Sequence, residues 1–259
     1  MKNKPMQTLA NKIAWITGAG TGIGLSGAQM LAKAGALVVM SGRRADVLEK
    51  EAEKIRVAGG RAETLAVDVS DRDAAIKAGE TILASHGRVD ILVNSAGMNV
   101  PNRFFTNQTP MGFDSVISAN LNGTFYTVAA VLPAMRKQRD GLIINVSSWA
   151  GRYAAHMTGA GYNAAKAGVI ALTTSINMEE CSNNIRACAL CPGEVATPIM
   201  LNRPIPPSKD ALDSMLQADD LGRIILFLVE SPAHMCVNEI LVSPTTNRIY
   251  LGTTEKAKT

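Results

Sequence analysis

Short aliphatic runs alternate with longer helical stretches along most of this chain, and this alternation constrains the fold more than any other feature. The strand-like runs are KIAWITG, ALVVMSG, AETLAVDV, VDILVNSAG, GLIINVSS and NIRACALCPG. Helical patterns lie between them at GLSGAQMLAKAG, at ADVLEKEAEKIRVAGG, and near residues 71–86, 110–138 and 161–182. Apolar strands that alternate with helices indicate a parallel sheet covered on both faces. We therefore predict a three-layer, doubly wound α/β fold.

Length and composition agree with one globular domain over residues 1–259. A chain of 259 residues lies within the range that α/β folds fill with a single core. Hydrophobic residues make up 47% of the chain and aromatic residues only 4%, so the core is built from aliphatic and small side chains.

Charge and hydropathy narrow the choice of partners. The net charge is +4 and the basic residues are scattered, which argues against nucleic acid. No stretch approaches the ~20 apolar residues that span a bilayer, and Asn11 and Lys12 interrupt the first apolar run. We expect a cytoplasmic protein with neither nucleic acid nor membrane as partner.

The four cysteines include one CxxC spacing, between Cys188 and Cys191, and the others are Cys181 and Cys236. No second half of a zinc site follows, because the three histidines are far apart in sequence. A strand also places residues three apart on opposite faces. We predict buried, reduced thiols and no metal site.

Four prolines occur within ten residues from Pro198 onward. They predict irregular backbone until about Ser208. Long loops in compact domains are often lids, so a lid near residues 198–218 is one interpretation. A plain surface excursion is the other.

A glycine-rich loop, TGAGTGIG, joins the first predicted strand to the first predicted helix. Gly18, Gly22 and Gly24 permit a tight turn, close approach of backbone to a pyrophosphate, and close packing of helix on strand. Ligands of doubly wound sheets lie beyond the carboxyl ends of the strands, which is where this loop lies. The context predicts a dinucleotide cofactor.

The TGxxxGIG spacing and the Tyr162-x-x-x-Lys166 pair resemble the short-chain dehydrogenase/reductase family. The resemblance runs from about residue 11 to 200 and includes NSAG at 94–97, Asn120, SSWAG at 147–151 and PGEVATP at 192–198. It implies a single Rossmann-like domain. Cofactor-binding motifs would lie in residues 11–100, and catalytic and substrate-binding elements in residues 110–259.

The resemblance also implies a set of cofactor-binding residues. They are Gly18, Gly20, Thr21, Gly22, Ile23, Gly24, Arg43, Arg44, Asp68, Val69, Asn94, Ala96, Gly97, Tyr162, Lys166, Pro192, Gly193, Val195 and Thr197. After the second strand, where an NAD enzyme usually has an acid, the sequence has Arg43 and Arg44. An arginine can pair with a 2′-phosphate, which favours NADP (NADPH). NAD is the alternative, because a guanidinium can also stack on adenine.

Tyr162 and Lys166 are four residues apart, so a helix would place them on one face, where a cation favours the phenolate. The resemblance makes Tyr162 the group that exchanges a proton with the substrate oxygen. Lys166 would hold the nicotinamide ribose and, with the oxidised nicotinamide, lower the pKa of the tyrosine. Ser148 would hydrogen-bond the reacting oxygen, with Ser147 as its rival, and Asn120 would hold a water near the lysine.

Candidate substrate-binding residues flank these motifs. They are Met98, Ser148, Trp149, Arg152, Tyr153, Met157, Glu194 and Met200. Most are apolar, which suits a ketone or a secondary alcohol. Arg152 could clamp a carboxylate or sulfonate, although an exposed arginine is the more common case.

Three functions fit these residues. The first is an NADP-dependent carbonyl reductase or alcohol dehydrogenase with a small-molecule substrate. The second is a family member whose redox step serves an epimerisation or dehydration, and the third is a cofactor-sensing regulator. Regulators of this fold tend to lose the tyrosine or the lysine, and both are present. The family commonly pairs the helices containing Asn120 and Tyr162, so we expect a homo-oligomer, a tetramer or a dimer.

Overall fold

The computed structural model of the protein describes residues 9–247 and residue 250. Nine strands occur within these residues. They are β1 (Ile13–Thr17), β2 (Leu37–Gly42), β3 (Arg61–Ala66), β4 (Ile91–Asn94), β5 (Gly141–Val146), β6 (Ile185–Pro192), β7 (Val195–Ala196), β8 (Leu216–Gln217) and β9 (Glu239–Val242). Seven of them form one parallel sheet in the order β3-β2-β1-β4-β5-β6-β9, and β7 pairs separately with β8. All six predicted strands are confirmed.

Helices cover both faces of the sheet. They are α1 (Gly22–Lys33), α2 (Ala45–Val57), α3 (Arg72–His86), α4 (Pro110–Ile117), α5 (Gly123–Gln138), α6 (Trp149–Arg152), α7 (Ala160–Glu180), α8 (Lys209–Asp213) and α9 (Ala218–Glu230). A π-helical turn, Ser118–Asn122, joins α4 to α5. The helix predicted near residues 110–138 is therefore two α-helices with a wider turn between them.

Two hydrophobic clusters lie on opposite faces of the sheet, because successive residues of a strand point to opposite sides. Ile16 of β1 joins the cluster packed under α1, α2 and α9. Its neighbour Trp15 joins the cluster under α3, α5 and α7. This arrangement confirms the three-layer, doubly wound fold.

The cysteines divide into two pairs. Cys188 and Cys191 are buried in β6, whereas Cys181, just after α7, and Cys236, in the loop before β9, are exposed. The prediction of buried thiols is thus wrong for the second pair, because both of its members lie in surface turns. Burial raises the pKa of Cys188 to about 12 and that of Cys191 to about 11.

The proline-rich segment has some regular structure. Pro198–Asn202 forms a 3-10 turn, and the chain is then irregular up to Ser208, whose hydroxyl accepts a hydrogen bond from the Ala211 amide at the start of α8. The prediction of irregular backbone holds only for residues 203–208. That the segment acts as a lid stays a prediction.

In the part of the chain that the structure describes, no helix combines the length and apolar character needed to cross a bilayer. The same residues contain no group of three or more His, Cys, Asp or Glu side chains that could hold a metal ion.

Candidate active site

The glycine-rich loop between β1 and α1 has room only for glycine at three positions. Gly18 has a φ of +64°, and a Cβ there would lie 2.8 Å from the backbone of Ala96. Gly22 has a φ of +58°, and its Cβ would lie 3.0 Å from the Thr197 side chain. A Cβ on Gly24 would lie 2.5 Å from the Gly18 carbonyl oxygen. At Gly18 and Gly22, no side chain separates the backbone from a ligand in the adjoining groove.

A groove runs along the carboxyl edge of the sheet from this loop, and it has two adjoining halves that share Gly18, Thr21 and Gly97. The first half is lined by residues that include Gly20, Arg43, Arg44, Asp68, Val69, Ala96 and Met98. The second half is lined by residues that include Gly22, Ile23, Asn120, Ser148, Tyr162, Lys166, Pro192, Gly193, Val195 and Thr197. The groove thus brings together nearly all the residues predicted to bind the cofactor.

The shape and chemistry of the groove fit a nicotinamide dinucleotide. Exposed arginines, Arg43 and Arg44, line one half, and bare glycine backbone at the start of α1 follows. Tyr162 and Lys166 line the other half. Asp68 lines the first half and also accepts hydrogen bonds from the amide and hydroxyl of Ser70, at 3.0 and 2.7 Å. Asp68 therefore stabilises the turn that follows β3, and its contact with the cofactor stays a prediction.

Two predicted cofactor residues lie elsewhere. Asn94 is buried, its amide donates to Asn145 at 3.0 Å, and its oxygen accepts from Thr127 at 2.7 Å. This side chain joins β4 to β5 and α5 and does not line the groove. Gly24 lies beneath the glycine-rich loop, where its role is to let α1 pack against Gly18.

Lys166 is buried one turn after Tyr162 on α7. Its ammonium nitrogen lies 5.6 Å from the centre of the tyrosine ring and donates to the Val146 carbonyl at 2.8 Å. Burial lowers the pKa of Lys166 to about 8. The ammonium group is therefore held between the end of β5 and the tyrosine, still largely protonated at neutral pH.

Tyr162 is partly accessible from solvent and lines the second half of the groove. Burial raises the pKa of this phenol, while a hydrogen bond with Ser148 and the charges of Arg203 and Arg103 act in the opposite direction. In the chain alone the direction is thus opposite to the lowered pKa expected from the sequence. The expectation counted the charge of an oxidised nicotinamide and left out the desolvation of the phenol.

The structure distinguishes the two candidate serines. Ser147 is buried, and its hydroxyl donates to the Lys166 carbonyl at 2.7 Å. The Ser148 hydroxyl accepts from the Ala150 amide at 3.1 Å, which begins α6, and Ser148 lines the groove together with Tyr162. Ser148 therefore faces the tyrosine, whereas Ser147 fixes α7 against β5.

Asn120 is fully buried in the π-helical turn between α4 and α5. Its amide nitrogen donates to the carbonyls of Met98 and Val116, each at 2.8 Å, and its oxygen accepts from the Met98 amide at 3.3 Å. A Cβ on Gly97 would lie 2.7 Å from that oxygen. Asn120 thus fixes the backbone that follows β4 next to Lys166, and its water-holding role stays a prediction.

A third cavity, here called the catalytic cleft, adjoins the groove at Tyr162 and Ser148. Its walls include Trp149, Met157, Glu194, Met200, Asn99, Arg103 and Arg203. Met98 lies in the cofactor groove instead. Arg152 and Tyr153 are exposed outside the cleft, and Arg152 forms a two-pronged ion pair with Glu239. Arg152 is thus the exposed arginine that was the alternative to a clamp for an anionic substrate, and its guanidinium is already paired with a carboxylate.

Sequence reasoning missed the two arginines of the catalytic cleft. Arg103 is 4% exposed and lies in the loop between β4 and α4. Arg203 follows the 3-10 turn at Pro198–Asn202 and donates to Glu194 at 2.7 Å. No motif identifies either residue, and their only signal in the sequence is a charged side chain in a loop that follows a strand carboxyl end.

Comparisons with known proteins agree with this site. The family model for short chain dehydrogenases matches residues 12–205. A 3-oxoacyl-(acyl-carrier-protein) reductase of Thermotoga maritima is 33% identical over 241 residues, covering 90% of this chain and 96% of that protein.

Two solved structures are similar over nearly their whole length. A metagenomic short-chain oxidoreductase in complex with NADP is 31% identical, with a TM-score of 0.80, over 91% of this chain and 98% of that one. An alcohol dehydrogenase of the archaeon Thermococcus sibiricus, complexed with 5-hydroxy-NADP, is 26% identical, with a TM-score of 0.82. The similarity covers 92% of this chain and 98% of that one. Sequence, fold and site thus agree that this chain belongs to the short-chain dehydrogenase/reductase family and is an NAD(P)-dependent oxidoreductase.

Proposed function

We propose that the protein interconverts a small carbonyl compound and its secondary alcohol with NADP(H), using Tyr162 as the general acid and base. One observation carries the proposal. The groove that fits the dinucleotide meets the catalytic cleft at Tyr162 and Ser148, so both reactants would reach the same phenol. Relatives support the reaction class, because one is named a 3-oxoacyl reductase and another an alcohol dehydrogenase.

The chain's own residues supply the proton and its control. During reduction Tyr162 gives its proton to the substrate oxygen, and Ser148 hydrogen-bonds the same oxygen. Lys166, held by the Val146 carbonyl, stabilises the phenolate that remains. When bound, the NADPH nicotinamide supplies the hydride that joins the carbonyl carbon, and NADP⁺ remains. In oxidation the phenolate removes the alcohol proton.

The preference for NADP rests on the first half of the groove. Arg43 and Arg44 follow β2 and are exposed there, where a guanidinium can pair with a 2′-phosphate in two hydrogen bonds. Two solved relatives contain NADP or a derivative of it. A cytoplasmic location and a homo-oligomeric assembly stay predictions.

A substrate screen tests the reaction. Purified protein is mixed with NADPH and a panel of ketones, aldehydes and oxo acids, and with NADP⁺ and the matching alcohols, while absorbance of the dihydronicotinamide is followed. We expect saturable turnover of at least one carbonyl and alcohol pair in both directions. Binding of NADPH with no turnover of any member would contradict the proposal, and product formation without net change in NADPH would indicate an epimerase or dehydratase.

A further inference from the structure

Arg103 is a buried charge in the wall of the catalytic cleft. It is 4% exposed, its Nε donates to the Val100 carbonyl at 2.8 Å, and its Nη2 donates to the Asn202 carbonyl at 2.7 Å. Within residues 9–247 and 250, these neutral oxygens are the partners of its hydrogen bonds. A guanidinium has five N–H donors and a full positive charge. Two carbonyls satisfy part of its donors and none of its charge.

The neighbouring charges do not neutralise Arg103. Arg203 lines the same cleft, but its charge is balanced by Glu194 at 2.7 Å, and the two side chains are 17% and 9% exposed. Burial and the proximity of Arg203 lower the pKa of Arg103. Among the described residues of this wall, the two arginines and one carboxylate give a net charge of one positive unit. Buried charges are usually paired, because desolvating an unpaired ion is costly.

The backbone holds Arg103 at this place in spite of that cost. Gly159, just before α7, has a φ of +77°, and a Cβ there would lie 2.2 Å from the Arg103 carbonyl oxygen. The loop of Arg103 therefore packs directly against the start of the helix that contains Tyr162.

We propose that Arg103 binds a carboxylate of the substrate, so that the protein acts on an oxo acid and the corresponding hydroxy acid. The inference rests on the proposed function, because it places this anion beside the carbonyl group that Tyr162 protonates. The two oxygens of a carboxylate can accept two parallel hydrogen bonds from the N–H groups of a guanidinium. A carboxylate also carries one negative charge, which matches the net positive charge of the described wall residues, whereas a phosphate ester carries nearly two.

Matched pairs of substrates test the proposal. We would compare 2-oxobutanoate, 3-oxobutanoate and 4-oxopentanoate with their methyl esters, which keep the carbonyl and lose the charge. The wild type, with NADPH, is expected to have a kcat/KM at least about tenfold higher for one acid than for its ester, since hydrogen bonds to charged groups are strong. Arg103→Gln should remove that preference by lowering kcat/KM for the acid and leaving the ester within about threefold.

Controls separate recognition from folding. The amide introduced by Arg103→Gln can still donate to a backbone carbonyl, so this variant is expected to keep the wild-type melting temperature and NADPH affinity. Arg103→Lys should keep part of the preference for the acid, because it keeps the positive charge. Arg223→Gln is the matched control, since Arg223 is an exposed residue of α9 outside the cleft. Equal effects of Arg103→Gln on acids and esters would indicate a merely structural role and would overturn the proposal.

A binding measurement distinguishes this failure from failure of the proposed function. Trp149 lies in the cleft and Trp15 in the core, so tryptophan fluorescence of the NADPH complex reports on the cleft. Saturable quenching by an oxo acid in the wild type, lost in Arg103→Gln, supports the anion site even if no hydride is transferred. If neutral ketones are turned over but no acid shows saturable binding, the carboxylate site at Arg103 is contradicted and the proposed function is not. Absence of both carboxylate binding and turnover contradicts both proposals.

Discussion

At the scale of single residues, Arg43 is predicted to determine the preference for NADPH over NADH. It is exposed after β2, in the first half of the groove. Replacing Arg43 with Ala should weaken NADPH binding by about tenfold or more, because a charge-assisted pair with the 2′-phosphate is lost, and change NADH binding by no more than about threefold. Fluorescence titration of both cofactors measures this. Arg72→Ala, at an exposed residue of α3, is the control, and equal losses for NADPH and NADH would rule out phosphate recognition by Arg43.

The buried ammonium group of Lys166 predicts a pH dependence of stability. Its pKa is about 8 in the folded chain and about 10.4 when unfolded, so between these values the unfolded state binds more protons. The free energy of unfolding of the wild type, relative to that of Lys166→Met, should therefore rise with pH from about 8 to about 10.4, by at most about 3 kcal/mol.

Urea unfolding of both proteins across this pH range checks the prediction. The difference between them cancels the contribution of Cys188, whose raised pKa acts in the opposite direction in both proteins. Cys191 interacts electrostatically with Lys166, so the difference reports on these two groups together. A difference in unfolding free energy that is constant across this range would show that the lysine keeps an ordinary pKa.

At the scale of elements, the packing of α1 against α9 depends on small residues at the contact. A Cβ on Gly222 of α9 would lie 2.3 Å from the Ser26 hydroxyl, and one on Gly27 of α1 would lie 2.9 Å from Ile225. Gly222→Val should lower the free energy of unfolding by about 1–3 kcal/mol, because the helices must separate or distort. Arg223→Ala, on the exposed side of the same helix, should change it by less than about 0.5 kcal/mol. Urea titration measures both, and equal effects would mean that the helix contact is looser than described.

The elements show why some local structure could be predicted from sequence and some could not. The strands were predictable because a sheet covered on both faces needs runs of apolar residues. The π-helical turn was not, since the hydrophobic period within α4 and within α5 is that of an ordinary helix, and the inserted residue changes only the phase between them. The sequence did predict one functional residue of this turn, because Asn120 was identified from the family motif and lies within it.

At the scale of the whole molecule, the fold separates the four thiols into two accessible and two inaccessible ones. Cys181 and Cys236 are exposed, whereas Cys188 and Cys191 are buried in β6, an interior strand of the sheet, and have raised pKa values. A thiol reagent should therefore modify no more than two cysteines per native chain, and all four in denaturant. Mass spectrometry of the labelled protein checks this, and rapid labelling of Cys188 in the native state would contradict the described sheet.

Long-range contacts set the limit of what the sequence could predict about the site. The groove was predictable because its residues belong to motifs that each follow a strand, and parallel strands end at one edge. Arg103 and Arg203 lie in loops far apart in the sequence, and only the folded chain brings both next to Tyr162. Likewise, Arg152 was expected at the substrate because it follows a motif, but β9 places Glu239 beside it.

The central claim is that Tyr162 exchanges a proton with the substrate at the junction of groove and cleft. Its most direct test is the turnover of Tyr162→Phe, compared with the wild type at equal NADPH occupancy. We predict a loss of about a thousandfold or more in turnover, since general acid and base catalysis contributes about a hundred- to ten-thousandfold, with the NADPH dissociation constant within about twofold. Turnover within about tenfold of the wild type would contradict the account.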